Sequence, residues 1–387
     1  MKKITLLLFA MLTIFIAQTA FAQSNQNQTA KPNTPDKVDL FKAKIIDIQN
    51  IREGVGLDGI KTYIQNIKLR GLEKQWKNKE ITIQESEFNS IGPDAYKKGD
   101  IMIISHNKDE NGQDAFGIFD YSRENSIYLL GFLFIGLVIL IGRTKGIKAL
   151  IALILSFLVI IYFILPQIVA GGDPVIISAI GAIFIAFSSL YITYGFKHFS
   201  HIAAASLGSS LILTVIISQI FTVLARLTGN TEENITYLSQ ILGPNFNARG
   251  LLLAGFIIGA LGVLNDVVIN QISLVEELYK MNHSLHWKKL FQKGLKVGID
   301  HISAIVNTLF LAYVGTSLPL LLLFVTDKTI RYDTSTVINM EMITTEIVRT
   351  LAGSLGLILS VPIATLIGAV FIPKYAKKYK KELFEHI

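Results

Sequence analysis

The chain of 387 residues contains no cysteine. Disulfides, thiolate metal sites, iron–sulfur clusters and thiol catalysis are therefore excluded. Charge is also scarce, at 17% of residues against 51% hydrophobic, a balance unusual for a soluble protein. Patterns that announce chemistry are missing too, with no His-Glu-x-x-His pair and no Gly-x4-Gly-Lys phosphate loop. The formal charge of +7 invites a nucleic-acid reading. Its distribution argues for no nucleic-acid partner, because the lysines gather at the ends of apolar runs instead of along one soluble face.

What the chain does have is a sharp division near Tyr128. It opens with Met1-Lys2-Lys3, an apolar run from Ile4 to Ile16, and Ala20-Phe21-Ala22. A charged start, an apolar middle and a small-x-small site predict a secretory signal peptide over 1–22, with an uncleaved anchor helix as the alternative. Residues 23–37 are polar and poor in aromatics, and read as a flexible spacer. From Val38 to Ser122 short β-prone runs alternate with polar turns such as Lys97-Lys98-Gly99-Asp100. The expectation is a small exported β-rich domain over 38–122, an OB-like barrel being one form it could take.

Seven apolar stretches follow over 126–372: Ser126–Gly142, Ile147–Leu165, Pro174–Gly195, Ile202–Leu227, Leu251–Ile269, Ala304–Val325 and Ile347–Ile372. Each is near the ~20 residues that cross about 30 Å of hydrocarbon. The predicted class is an α-helical polytopic membrane protein with about seven transmembrane helices. With an exported start, Arg143-Thr-Lys145, Lys197, the lysines from Lys280 to Lys296 and the basic tail 373–387 all fall on the cytoplasmic side. The expected location is the bacterial cytoplasmic membrane, with the β-rich domain outside and the C-terminus inside.

The fifth stretch reads Gly255-Phe-Ile-Ile-Gly259-Ala-Leu-Gly262-Val-Leu-Asn265-Asp266-Val-Val-Ile-Asn270, and the last Arg349-Thr-Leu-Ala-Gly353-Ser-Leu-Gly356. With the layout of an exported domain before about seven helices, these segments resemble the YibE/F family of bacterial multi-pass membrane proteins. Lys98-Gly99-Asp100 and Phe119-Asp120-Tyr121 look similar to that family's pre-membrane domain. Asn265 departs from the family pattern, where an apolar residue is expected before the aspartate. The resemblance implies placement in the cytoplasmic membrane and no particular activity.

Asp266 is the sharpest candidate, because a carboxylate inside a span is costly unless it meets a partner or water. Gly255, Gly259 and Gly262, and later Gly353 and Gly356, have spacings suited to close helix packing. Asn270 is four residues beyond Asp266 and shares its face, with Asn265 adjacent. Asp300-His301 opens the sixth stretch with Asn307 deeper, and the His301 imidazole would suit a proton relay with Asp266. A hydrated helix entry is the plainer account of that pair and the preferred one. Glu341, Glu346 and Arg349 group on one helical side before the last span, either in a cavity or as interfacial ion pairs. The candidate solute or ion site is thus Asp266, Asn265, Asn270, His301, Asn307 and Glu346.

Ser273–Lys296 reads as a cytoplasmic helical segment that lies on the membrane or docks a partner. Pro362 offers a helix break or a packing feature. His198/His201 and His283/His286 have helical spacing without further ligands, too little for a metal site. No cofactor and no enzymatic activity are expected. Permease-like movement of a small solute or ion is the leading expectation. A sensor or assembly factor, whose exported domain binds a ligand or protein partner, is the alternative.

Overall fold

The computed structural model describes residues 39–55, 61–83, 96–108, 112–231, 233–319, 321–322 and 334–385. The signal-peptide and spacer segments expected over 1–22 and 23–37 lie outside these. The chain divides into two compact units, one ending at Val138 and the other beginning at Ile139.

The first unit is built on five strands: β1 (Asp39–Val55), β2 (Lys61–Gly71), β3 (Glu80–Ile83), β4 (Ile101–Lys108) and β5 (Asp114–Tyr121). They form one antiparallel sheet in the order β3-β2-β1-β4-β5. Alternation of side chains explains it. Phe41, Ala43 and Ile45 of β1, Ile67 and Leu69 of β2, Ile81 and Ile83 of β3, and Met102 and Ile104 of β4 all enter one core. Register irregularities after Ile45 and after Gln49 interrupt the long β1, and such bulges sharpen the twist that curls a sheet. Gln65 is buried in this core and uses both ends of its amide, donating to Tyr96 O at 3.3 Å and accepting from Tyr96 N at 2.8 Å. A short 3-10 turn, Lys74–Trp76, crosses Gly71, where a Cβ would come within 2.7 Å of the Trp76 carbonyl carbon.

The helices are α1 (Glu124–Val159), a π-helical turn (Ile160–Ile164), α2 (Leu165–Val169), α3 (Pro174–Tyr194), α4 (His198–Leu224), α5 (Glu233–Leu242), α6 (Ala248–Met281), α7 (Trp287–Thr316), α8 (Thr334–Asn339) and α9 (Glu341–Glu385). Among the described residues six helical segments are long and apolar enough to cross a membrane, the first running 46 residues from Glu124 to Val169. At 1.5 Å per residue that segment would be about 69 Å long, twice a hydrocarbon core. It is interrupted at Arg143, whose φ of 48° and ψ of −130° are non-helical. The break falls between the first two stretches expected from sequence, so about seven crossings agree with the fold. The chain is a multi-pass membrane protein in contact with lipid.

The bundle core joins α3, α4, α6 and α9, with Leu190, Leu207, Leu211, Ile257, Leu264, Ile272 and Ala364 at its centre. Antiparallel α4 and α9 are fixed in register at two levels. Glu341 accepts from the backbone N–H of both Thr228 and Gly229 at one end. Further along, a Cβ on Gly356 would lie 2.7 Å from Thr214 Cγ2. The helical segment Ser273–Lys296, expected to lie on the membrane or dock a partner, is the end of α6, a short turn and the start of α7, with Met281 and Trp287 exposed. Its apolar residues Leu278, Tyr279, Leu285, Leu290 and Phe291 are spent on the bundle core.

Candidate functional site

Helix α6 begins at Asn247, whose side chain accepts from Gly250 N at 2.8 Å as an N-cap. Over its 34 residues one face packs inward through Leu253, Ile257, Leu264, Val268, Ile272 and Val275. The opposite face carries Gly255, Gly259, Gly262, Asp266, Asn270 and Ser273, all exposed and three or four residues apart. The residues named from sequence as carboxylate and amide candidates thus share one outward stripe. Asn265 sits at its edge, half-buried, with its Oδ1 buried and unpartnered among the described residues.

Helix α7 packs on α6 and α9 through Leu290, Gly294, Gly298 and Leu309. Asp300, His301, Ser303 and Asn307 lie outside that face and are exposed. Because Gln271 donates to Gly294 O at 2.9 Å and meets the Cβ position of Gly298, antiparallel α6 and α7 can be aligned residue by residue. Asp266 is then level with residues 299–303 of α7, and Gly262 with residues 303–307, to within about one turn. Asp266, Asn270, His301 and Asn307 therefore share a depth, although no hydrogen bond or ion pair joins them among the described residues.

Glu346 is elsewhere. Arg349 stacks over Phe256 at 5.3 Å, and a Cβ on Gly368 would lie 3.1 Å from Ile272 Cδ1. These contacts set α9 parallel to α6 with an offset of 93 to 96 residues. Asp266 is level with about residue 361, so Glu346 lies about 22 Å away along the bundle. There Glu346 pairs with Arg349 at 2.8 Å and accepts from Ser317 Oγ at 3.1 Å. The glycines divide likewise: Gly356 is pressed against Thr214, whereas a Cβ at Gly255 or Gly262 would meet nothing within 4 Å. Gly353 lies near Tyr313, 3.9 Å from its hydroxyl.

Two features escaped the sequence reading. Gln271 is 3% exposed and donates to both Gly294 O and Thr365 Oγ1, at 2.9 and 2.7 Å, tying α6, α7 and α9 together. Thr365 in turn donates to Val361 O beside Pro362, which lacks the N–H that would reach Ile358 O. The other is a ladder on α4, Ser206, Ser210, Thr214, Ser218 and Thr222, every fourth residue and fully buried. The first three return their hydroxyls to carbonyls four residues back. The four-residue repeat is visible in the sequence and marks the face that α9 covers.

The histidine pairs turn to aromatic neighbours. His198 stacks on Tyr375, His201 shares a 2.8 Å hydrogen bond with the Tyr191 hydroxyl, and His283 bonds Tyr279 O at 2.7 Å. No group of three His, Asp or Glu side chains suited to a metal occurs among the described residues.

A family model described as YibE/F-like protein matches residues 130–374. The chain belongs to the YibE/F-like family. No curated protein and no solved structure matches it. The matched segment includes the whole α6–α7 hairpin and stops before the basic tail, whereas the five-stranded sheet precedes it. The features shared with YibE/F-like proteins are thus those of the helical bundle.

Proposed function

We propose that this YibE/F-like protein is a non-enzymatic permease for a small solute or ion, with Asp266 as the binding or coupling residue. The observation that carries this reading is the stripe on α6, where Asp266 interrupts an apolar span, Asn270 follows just past its end, and both are exposed. Intramembrane acids are expensive and usually mark an ion, proton or substrate path. Asn265 supplies an unpaired acceptor beside Asp266, and His301 and Asn307 lie at matching depth on α7. Glu346 is paired about 22 Å away and belongs, in this reading, to the opposite mouth. The basic clusters at Lys197, Lys280–Lys296 and beyond Lys374 support a cytoplasmic C-terminus and an exported sheet, in the bacterial cytoplasmic membrane.

The test is flux into proteoliposomes under imposed gradients of protons, sodium, potassium, magnesium or phosphate. Wild type should dissipate at least one gradient, and Asp266→Asn should slow that by tenfold or more with expression unchanged. Equal flux in the two proteins would end the proposal. A second reading, as a sensor, draws on the sheet, where Phe41, Trp76, His106 and Phe116 form an aromatic cluster with centroids 4.9 to 6.3 Å apart. Deleting residues 23–122 separates them: a permease core keeps its flux, and a sensor loses its response.

A further inference from the structure

Among the described residues the outward stripe of α6 is only partly covered, and a Cβ on Gly259 would lie 3.4 Å from the Tyr313 hydroxyl of the same copy. Three glycines in one helix face weaken the helix relative to alanine. Such a cost is usually offset by a close neighbour, as Thr214 provides for Gly356. At Gly255 and Gly262 there is none within 4 Å of a built Cβ. In the same stripe, Asp266 is exposed within the fifth apolar stretch and Asn270 just past its end, and a polar group left facing lipid there is unfavourable. Among the described residues nothing covers this face at Gly255 or Gly262, which leaves it open to a further partner.

The neighbouring face of α7 indicates which partner. Two copies inserted with the same orientation associate about a two-fold axis along the membrane normal, which brings equal depths together. With the α6–α7 alignment set by Gln271, Glu277 of one copy meets the level of Lys289 and Lys293 of the other. Asn270 meets the level of Asp300, and Asp266 that of Ser303. Each pair offers a donor to an acceptor or a cation to an anion, and all of these side chains are exposed in one copy. The bridge from Lys280 to Glu277 within α6 is at the surface and holds Glu277 only weakly. Above Asp266 the glycines allow the two backbones to approach as small-xxx-small helices do in lipid.

We propose that the stripe from Gly255 to Ser273 on α6 is the docking surface for α7 of a second copy of this chain. The protein is then a two-fold dimer in which each copy covers the polar face of the other. The second copy closes the open side of Asp266 and converts a lipid-facing stripe into an enclosed polar one. This inference stands apart from the transport reading, since its test measures association and not flux.

The absence of cysteine makes the test direct. Gly262→Cys with one tag and Asn307→Cys with another are co-expressed, and native membranes are treated with copper phenanthroline or a short bis-maleimide. A band carrying both tags at twice the 42.8 kDa chain mass is expected, and none when Asn307→Cys is paired with Ile216→Cys on the exposed face of α4. No doubly tagged band, with both cysteines reacting with a membrane-permeant maleimide, would overturn the proposal. If the cysteine variants are not inserted, the wild-type chain in lipid nanodiscs is sized by mass photometry. A dimer that Gly262→Leu reduces to monomer supports the inference, and a wild-type monomer or a dimer indifferent to Gly262→Leu overturns it.

Discussion

Charged side chains in the five-stranded sheet pair across its open rim, whereas several buried hydroxyls in the bundle turn back on their own helices. Lys68 and Arg70 reach Glu80 at 2.7 and 3.2 Å, and Lys74 reaches Asp39 at 2.7 Å, all with substantial exposure. Ser206, Ser210, Thr214 and Thr365 instead donate to carbonyls four residues back, and all are almost fully buried. The reason is the solvent on each side. Water screens the rim pairs and makes each a small contribution. Lipid offers no competing partner, so a hydroxyl is tolerated in a span where its own backbone satisfies it. The bundle consequently depends on close packing and the sheet on its apolar core, with ion pairs as a pH-dependent supplement.

The contrast would be broken most severely at Gly356. Its missing side chain admits Thr214, and Gly356→Leu would force α4 and α9 apart along their shared face. Overpacking of a tight contact costs about 1–3 kcal/mol and more where backbone must shift. The expected outcome is loss of folded protein by detergent size-exclusion chromatography, with partial recovery in Gly356→Ala combined with Thr214→Ala. Gly262→Leu should leave the fold of one copy intact, since a Cβ there meets nothing within 4 Å. Equal damage from both substitutions would show that the two glycines do not differ as described.

Gln271 comes next. Gln271→Ala leaves Gly294 O and Thr365 Oγ1 without a shared donor and opens a void between three helices. A lost buried hydrogen-bond partner costs about 1–3 kcal/mol. The melting temperature in detergent should fall by several degrees, whereas Asn270→Ala, on the exposed face of the same helix, should move it much less. If the two variants melt alike, the buried amide contributes nothing particular to the three-helix junction.

The seven apolar stretches, the short strands and the polar stripe of α6 were legible because each depends on local pattern. Hydrophobic length marks a span and alternation marks a strand, and Asp266 is conspicuous wherever its helix lies. Which neighbours those residues meet depends on register between distant segments, and that is where the reading stopped. Grouping Glu346 with Asp266 treated two acids in late spans as neighbours. The offset between α6 and α9 separates them, and only long-range contacts such as Arg349 with Phe256 set it. Gln271 was passed over because an amide near a helix end looks interfacial until Gly294 and Gly298 are known to close over it. The apolar residues of Ser273–Lys296 gave the right helical periodicity and left their partner open, since a bundle core and a membrane surface select the same pattern.

The smallest effect lies at the sheet rim and tests the other side of the comparison. Lys68, followed by Arg70, holds the Glu80 carboxyl below its ordinary range. Lys74 does the same for Asp39, and Arg123 for Asp120. A carboxylate whose pKa is depressed by folding adds stability above its unfolded pKa, and that share disappears as pH falls through the folded value. The sheet should therefore melt at constant temperature above about pH 5 and progressively lower from about pH 4 downward. Trp76 reports on this unit alone when the other tryptophan is removed by Trp287→Phe. Glu80→Gln should flatten part of the acid slope, and 1 M salt should flatten it further by screening these exposed pairs. An acid slope that neither Glu80→Gln nor salt alters would mean that the rim pairs add no pH-dependent stability to the sheet.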